Sequence, residues 1–365
     1  MAEADLVFEV RKSDWRETRF VERPLPDLEP GQVLFRVDRF AVTANNISYA
    51  LTGDALGYWR FFPCAEGFGR IPVMGFADVV RSTHADVHEG TRCFGFYPMA
   101  RHLVITPGLV SASQIVDAAP HRAGLAPAYA QYLPASGDAS YAVAREDQLM
   151  LMRGLFMTSF LADDFLADQD YRGARAVLIS SASSKTSIAL AYQVRQGGKT
   201  RAIGLTSARN EAFVRGLGFY DQVVLYEEIS SLAVEPAVFV DMAGNSAVTG
   251  AVHRHFGDQL AYDCSIGATH WSAERLREEL PGPKSEFFFA PAQIVKRTRD
   301  WGGSGLTGRM ALAWTGFCEA SDAWLKVVRG HGREALAQVF QKTLAGRTEP
   351  ADGHVLSLFE GRSGE

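Results

Sequence analysis

Between residues 176 and 263 the sequence alternates short, continuous apolar runs with segments of helical periodicity, and this alternation constrains the fold most strongly. The runs predict strands at 176–180, 201–205, 223–225, 237–241 and 259–263. Helices are predicted between them, at 184–196 and 210–216. Strands that are apolar throughout are buried on both faces, which is typical of a parallel sheet covered by helices. The middle of the chain therefore predicts an α/β domain.

The first third of the chain has a different pattern, with short strands separated by glycine and proline. Strands are predicted at 31–42, 77–82, 90–96 and 102–105. Such spacing favours a barrel-like or coiled antiparallel domain. A helix is expected over 149–166. The C-terminal third predicts a strand at 287–289, a helix at 332–344 and a closing strand at 354–359.

Length and composition narrow the class of protein. The 365 residues fit two domains, and 47% hydrophobic with 22% charged residues excludes a chain that is disordered throughout. A net charge of -5 without long runs of one sign gives no reason to expect a nucleic-acid partner. The four cysteines form no CxxC pair, the N-terminus does not resemble a signal peptide, and charged residues interrupt the apolar stretch 149–167. We expect a soluble cytoplasmic protein that does not enter a membrane.

Several phrases resemble the medium-chain dehydrogenase/reductase superfamily. Residues 26–34 (PDLEPGQVL), 41–46 (AVTANN) and 89–95 (EGTRCFG) are similar to three of its recurrent motifs. The resemblance implies a β-rich, GroES-like substrate domain formed by 1–155 and 296–365. It also implies a doubly wound, Rossmann-like nucleotide-binding domain over 156–295.

Other phrases resemble one branch of this superfamily, catalogued as a bacterial and fungal domain of unknown function. They include 57–63 (GYWRFFP), 180–186 (SSASSKT), 288–291 (FFAP) and the pair His121-Arg122. The resemblance to zinc-independent quinone oxidoreductases implies a fold and a class of cofactor, and it names no substrate.

The turn after the first apolar strand is the predicted phosphate site. Where the superfamily has glycines, this chain has serines, which can cap a helix and donate hydrogen bonds to phosphate, with a lysine beside them. The alternative is a purely structural strand–turn–helix with good capping residues. The predicted cofactor-binding residues here are Ser181, Ser183, Ser184, Lys185 and Thr186.

The end of the second strand predicts the type of dinucleotide. NAD-binding proteins place an acidic residue there, whereas this chain has none before Glu211. Donors at this position favour NADP(H), although an ordinary polar loop is the alternative. The expected contacts are Ser207, Arg209, Asn210 and Tyr226, which resembles a tyrosine of quinone reductases, with Ser265 and Gly267 on the nicotinamide side.

Catalysis is expected to proceed without zinc. The positions where the superfamily has catalytic zinc ligands read Ala44-Asn45-Asn46 and Gly75-Phe76-Ala77, so no metal site is predicted. Candidate catalytic donors are Asn46, Tyr49 and Tyr58, whose amide or phenol groups can stabilise a developing oxyanion. The alternative is that these tyrosines belong to a hydrophobic cluster with the aromatic residues at 59–62.

These residues predict a zinc-independent, NADPH-dependent reductase. It would transfer hydride to the activated C=C or C=O bond of a small apolar or planar substrate, of quinone, enone or enoyl type. A non-catalytic nucleotide-binding or interaction protein that retains the fold is the alternative. We also expect a homodimer formed through an edge strand at 287–289, with a monomer as its competitor.

Replacing Arg209 by alanine tests the cofactor assignment. A charge-assisted contact to the 2′-phosphate is worth about 1.5–3 kcal/mol, so NADPH binding should weaken roughly ten- to a hundredfold while NADH binding hardly changes. Parallel titrations of the two cofactors measure this. Equal weakening of both would show that Arg209 supports the loop or the adenine instead.

Overall fold

The computed structural model describes residues 4–138, 141–242, 244–266 and 280–360. Contacts divide the chain into two compact units. The first unit contains Met1–Leu151 and Leu325–Glu365, and the second contains Met152–Trp324. In the described part of the chain, every helix is too short or too polar to cross a lipid bilayer.

The strands are, in chain order, β1 Ala4–Arg11, β2 Asp14–Pro24, β3 Val33–Val42, β4 Phe68–Gly69, β5 Pro72–Ser82, β6 Arg92–Pro98, β7 His102–Ile105, β8 Pro107–Ser111, β9 Gln114–Asp117, β10 Gln131–Pro134, β11 Ala176–Ile179, β12 Arg201–Thr206, β13 Gln222–Leu225, β14 Ala237–Asp241, β15 Leu260–Ser265, β16 Ser285–Phe287, β17 Lys326–His331 and β18 Asp352–Ser357. The α-helices are α1 Ala44–Leu51, α2 Glu146–Asp168, α3 Lys185–Gly197, α4 Glu211–Gly216, α5 Ser246–Phe256, α6 Ala290–Ser321 and α7 Gly332–Leu344.

The second unit is built on a six-stranded sheet in the order β13-β12-β11-β14-β15-β16. All of its neighbouring strands are parallel. All four residues of β11 are buried, as an apolar strand at the centre of such a sheet requires. Counting from β11, the order is 3-2-1-4-5-6, which is that of the doubly wound dinucleotide-binding fold. The predicted parallel α/β domain is confirmed.

The first unit is mostly antiparallel, in agreement with the β-rich front expected from the sequence. One sheet runs β17-β18-β3-β5-β6-β10-β9-β8, with β7 also paired to β3, and a smaller sheet runs β2-β1-β4. Large buried rings fill its core, among them Phe8, Phe35, Tyr97, Tyr132 and Phe340. Seven of its strands have no counterpart among the predicted strands: β1, β2, β4, β8, β9, β10 and β17.

The second unit extends further along the chain than the expected boundary at residue 295. α6 packs on α2, where Phe317 stacks on Phe156 with ring centroids 5.2 Å apart. Arg297 of α6 also pairs with Asp164 at 2.6 Å. No such helix was predicted, because glycines at 302–308 interrupt its apolar period. The chain bends at Gly302, which has φ 74°.

The edge strand β16 begins and ends two residues earlier than the predicted strand at 287–289. Phe288 and Phe289 follow β16, and α6 begins at Ala290 with Pro291 in its first turn. Proline suits the first helical turn, where its missing N–H has no intrahelical partner. Helix initiation therefore ends the extended segment.

A buried carboxylate fixes the start of α2 to the sheet of the first unit. Glu146 is 1% exposed and accepts hydrogen bonds from Arg92 at 2.6 and 2.7 Å and from Arg39 at 2.5 Å. Burial opposes its ionisation, but the hydrogen bonds from Arg92, Tyr141 and Arg39 outweigh it and lower the pKa of Glu146 to about 2. The carboxylate therefore stays charged and holds both guanidinium groups.

Replacing Glu146 by glutamine should lower the free energy of unfolding at neutral pH by about 3 kcal/mol, because the buried carboxylate that two half-buried arginines share is lost. A carboxyl group with a depressed folded-state pKa stabilises above its unfolded pKa, and that contribution disappears as pH falls through the folded value. The difference from the native protein should therefore shrink between about pH 4.5 and 2. Urea unfolding across this range measures it.

Asp14→Asn is the matched control, since Asp14 pairs with Arg16 at 2.8 Å on an exposed strand. Exposed pairs contribute little, so this variant should unfold like the native protein. Equal effects of the two substitutions would contradict the role given to Glu146.

Candidate functional site

The turn between β11 and α3 has a backbone conformation that usually requires glycine. Ser181 has φ 48°, in the left-handed region. Ser184 follows as the N-cap of α3, and its Oγ accepts the N–H of Ser187 at 3.2 Å. The sequence thus forms a tight strand–turn–helix at the place where dinucleotide-binding folds have their glycines.

Hydrogen bonds between side chains and backbone hold this turn in place. The Ser187 hydroxyl donates to the Ser180 carbonyl at 2.8 Å, and the Ser184 and Ser187 hydroxyls lie 2.8 Å apart. The Ser180 hydroxyl donates to Asp241 Oδ1 at 2.8 Å. The first amides of α3 have no intrahelical acceptor, and a helix N-terminus of this kind can bind an anion.

Three neighbouring loops meet at this turn. The Ser181 amide donates to the Tyr226 hydroxyl at 3.2 Å, and Asn210 Nδ2 donates to Ser183 Oγ at 3.0 Å. Four of the residues predicted from the sequence are therefore in direct contact. They lie at the carboxyl ends of β11, β12 and β13, which is where doubly wound sheets bind their ligands.

The remaining predicted residues lie around this group. Ser207 precedes a short 3₁₀ turn that presents Arg209 on the surface. Lys185 and Thr186 begin α3 and are half-buried. Ser265 is buried at the end of β15, in register with Asp241. Gly267 lies outside the described residues.

Sequence reasoning missed the supports of the turn. Asp241 accepts from Ser180, from the Gly244 amide at 3.1 Å and from Thr249 at 3.3 Å. A Cβ on Gly204 would lie 2.8 Å from the Tyr220 ring and 3.0 Å from the Cβ of Ala182 in the turn, so β12 approaches the turn more closely than a larger residue permits. The sequence did contain a signal for Asp241, because it is an acidic residue at the end of an otherwise apolar strand.

The first unit brings two of the predicted tyrosines into contact. Tyr58 is 6% exposed, and its ring centroid lies 4.5 Å from that of Tyr49. Burial raises the pKa of both hydroxyls, so both keep their protons at physiological pH. Asn45 Nδ2 donates to the Tyr49 hydroxyl at 2.6 Å, which leaves the hydrogen of that hydroxyl for another acceptor. Both phenols are therefore able to donate hydrogen bonds.

Asn46 makes structural contacts instead. Its Oδ1 accepts the Thr43 amide at 2.7 Å, and its Nδ2 donates to the Pro72 carbonyl at 2.9 Å. These bonds close the N-terminus of α1 and attach it to β5. Asn46 positions the helix that carries Tyr49.

A third tyrosine was not predicted. The hydroxyls of Tyr129 and Tyr58 lie 3.1 Å apart. Tyr129 is held by Arg122, which donates to its carbonyl at 3.2 Å and pairs with Asp117 at 3.2 Å. The His121-Arg122 phrase was the only signal for this support.

No group of three His, Cys, Asp or Glu side chains in the described parts of the chain is arranged to hold a metal ion. The four cysteines are free thiols.

The fold is shared by several solved structures, among them an enoyl thioester reductase and a quinone oxidoreductase. CurA from Vibrio vulnificus, in complex with NADPH, has a TM-score of 0.61 at 12% identity, covering 98% of this chain and 100% of that one. A mutant form of enoyl thioester reductase from Candida tropicalis has a TM-score of 0.57 at 11% identity, covering 97% and 100%. The quinone oxidoreductase from Coxiella burnetii has a TM-score of 0.53 at 15% identity, covering 97% and 99%.

The chain therefore has the fold of the medium-chain dehydrogenase/reductases, with a GroES-like and a Rossmann-like part, and the predicted resemblance is confirmed. Within this class, the family model described as "Protein of unknown function (DUF2855)" matches residues 40–349, and the chain belongs to that family. No curated protein sequence matches the chain.

Replacing Ser181 by glycine should stabilise the second unit. A non-glycine residue in the left-handed region costs roughly 1–2 kcal/mol, and the added freedom of glycine in the unfolded chain offsets part of the gain. The free energy of unfolding should rise by about 0.5–1 kcal/mol in urea titrations. Ser183→Gly is the control, because Ser183 has no positive φ, and it should lose stability. Loss of stability in both variants would show that the Ser181 backbone is not strained.

Proposed function

We propose that this protein is an NADPH-dependent reductase of small apolar or planar substrates. The observation that carries the proposal is the rigid serine turn at the N-terminus of α3, in a sheet of 3-2-1-4-5-6 order. Its amides and hydroxyls suit a pyrophosphate. The fold shared with enoyl and quinone reductases adds support.

The residues after β12 favour NADP(H) over NAD. Ser207, Arg209 and Asn210 offer donors and a positive charge, and the first acidic residue is Glu211, which begins α4 and pairs with Arg215 at 2.8 Å. An acid engaged with arginine repels a 2′-phosphate less than an unpaired one. The solved complex of CurA with NADPH shows that the shared fold accommodates this cofactor.

We propose that Tyr49 and Tyr58 stabilise the substrate oxygen. NADPH supplies the hydride when it is bound. Addition of hydride to a conjugated C=C or a C=O bond places negative charge on an oxygen, and a buried phenol stabilises that charge by donating a hydrogen bond. The surrounding rings of Phe61, Phe62 and Phe96 suit an apolar, planar substrate. In this proposal the phenols do the work that zinc does in other members of the fold.

The competing function is nucleotide binding without catalysis, or an interaction role. One contact favours it, because the Tyr226 hydroxyl already occupies the Ser181 amide. A dinucleotide that needed this amide would have to displace the tyrosine.

We also propose a cytoplasmic homodimer that pairs through β16. This strand has a partner on one side only within the described sheet, and Phe287 at its end and Phe289 two residues later are 44% and 59% exposed. Exposed apolar side chains at a sheet edge are normally covered. Light scattering should give about twice the chain mass of 39.9 kDa, whereas a mass near 39.9 kDa at micromolar concentration would remove the dimer.

Turnover tests the reductase proposal. The native protein should oxidise NADPH in the presence of at least one acceptor from a panel of quinones, enones and enoyl thioesters. Tyr58→Phe should lower kcat by about a hundredfold and leave KM nearly unchanged, since loss of a positioned proton donor typically has this effect. Tyr97→Phe is the control, because the Tyr97 hydroxyl donates to the Cys93 carbonyl in the core at 3.0 Å.

Binding of NADPH without oxidation by any acceptor would favour the non-catalytic alternative. Full activity of Tyr58→Phe would remove Tyr58 from the mechanism while leaving the reductase proposal in place.

A further inference from the structure

The first unit contains a cavity of about 290 Å³ whose lining includes neither Tyr49 nor Tyr58. The end of β2, the loop after it and β7 line this cavity, and Phe62 and Leu103 form part of its wall. Its volume is at the small end of the range for ligand sites, about 300–1,000 Å³.

Arg23 lines this cavity with most of its donors unused. Its Nε donates to Asp5 Oδ2 at 3.0 Å, and its two terminal nitrogens have no acceptor among the residues that the structure describes. Arg70, which also lines the cavity, differs because its Nε and Nη2 donate to Glu9 at 3.0 and 2.8 Å. Arg23 therefore offers a planar pair of donors to a ligand.

Asp5 holds this guanidinium in place. It is 2% exposed, and its Oδ1 accepts the His102 amide at 3.0 Å. Burial opposes its ionisation, but the hydrogen bond with His102 and the charge of Arg23 outweigh burial and lower the pKa of Asp5. A guanidinium anchored at one nitrogen loses less freedom when its other nitrogens bind a ligand.

The other walls are flat and apolar. Phe62 belongs to the aromatic cluster around Tyr58, and four prolines share the lining: Pro24, Pro26, Pro63 and Pro98. His121 adds a polar group whose pKa is lowered by burial and by the charge of Arg122, so its imidazole is neutral at pH 7. The lining thus combines rigid apolar surfaces with one guanidinium group, that of Arg23, whose terminal nitrogens are available to a ligand.

We propose that this cavity binds a small aromatic carboxylate, with the carboxylate on the terminal nitrogens of Arg23 and the ring between Phe62 and the prolines. Two parallel N–H···O bonds match a guanidinium to a carboxylate. A monoanion suits the site better than a phosphate dianion. Asp5 already neutralises part of the positive charge on Arg23. The guanidinium of Arg70 already donates to Glu9, so it adds no free positive charge for a second negative charge on the ligand. The proposal does not rest on the reductase function, although Phe62 belongs both to this lining and to the aromatic cluster around Tyr58.

Calorimetric titration of the full-length protein with benzoate tests this site, with benzamide as the uncharged probe of the same shape. Benzoate should bind with a dissociation constant in the millimolar range or below, and benzamide at least about tenfold more weakly. Arg23→Gln should weaken benzoate binding about tenfold or more and leave benzamide binding unchanged. Arg16→Gln, on the same strand and paired with Asp14 at 2.8 Å, is the matched control and should bind as the native protein does.

Because Arg23→Gln leaves Asp5 buried without its partner, a second variant keeps that pair. Leu25→Trp places a large ring at the half-buried lining position next to Pro24 and should abolish benzoate binding while the protein unfolds at the native temperature. The proposal is overturned if native protein gives no heat with millimolar benzoate, if benzamide binds equally well, or if Leu25→Trp binds benzoate unchanged.

Discussion

A buried hydrogen bond of 2.8 Å from the Ser180 hydroxyl to the Asp241 carboxylate joins the ends of β11 and β14, the two central strands of the parallel sheet. The Met242 amide donates to the same hydroxyl at 2.8 Å, so the loops after both strands are fixed to each other. The rest of the nucleotide-site geometry depends on this junction. It sets where the turn leaves the sheet and therefore where the N-terminus of α3 points.

This chain forms the tight turn with serines instead of glycines, and the two residue types permit the turn for different physical reasons. Glycine permits the tight turn through its backbone freedom, whereas this chain accepts a left-handed serine, and hydrogen bonds of the neighbouring serine side chains stabilise the turn around it. The turn is thereby more rigid, and a rigid set of donors loses less entropy when it binds an anion. A phosphate that binds the Ser181 amide would have to replace the Tyr226 hydroxyl, which accepts that amide.

The sequence predicted the structure best where the burial of a segment and the chemistry of its residues indicate the same element. Apolar runs predicted the parallel strands within two residues at either end, because burial on both faces demands continuous apolar side chains. The contacts among Ser181, Ser183, Asn210 and Tyr226 could be anticipated, since the carboxyl ends of parallel strands share one edge.

Two features were missed for different reasons. α6 was missed because its glycines hide the helical period, and Tyr129 was missed because only tertiary packing brings it to Tyr58. Asn46 was predicted to be a catalytic donor, but its amide donates to the Pro72 carbonyl, a bond that no local pattern reveals.

The central claim is that the serine turn and the loop after β12 form an NADP(H) site. Its most direct test is calorimetric titration of the native protein with NADPH and with NADH under identical conditions. We expect saturable binding of NADPH, about ten- to a hundredfold tighter than that of NADH, because only NADPH carries the 2′-phosphate that Ser207, Arg209 and Asn210 can contact. No heat from either nucleotide at millimolar concentration, or equal affinity for both, would contradict it.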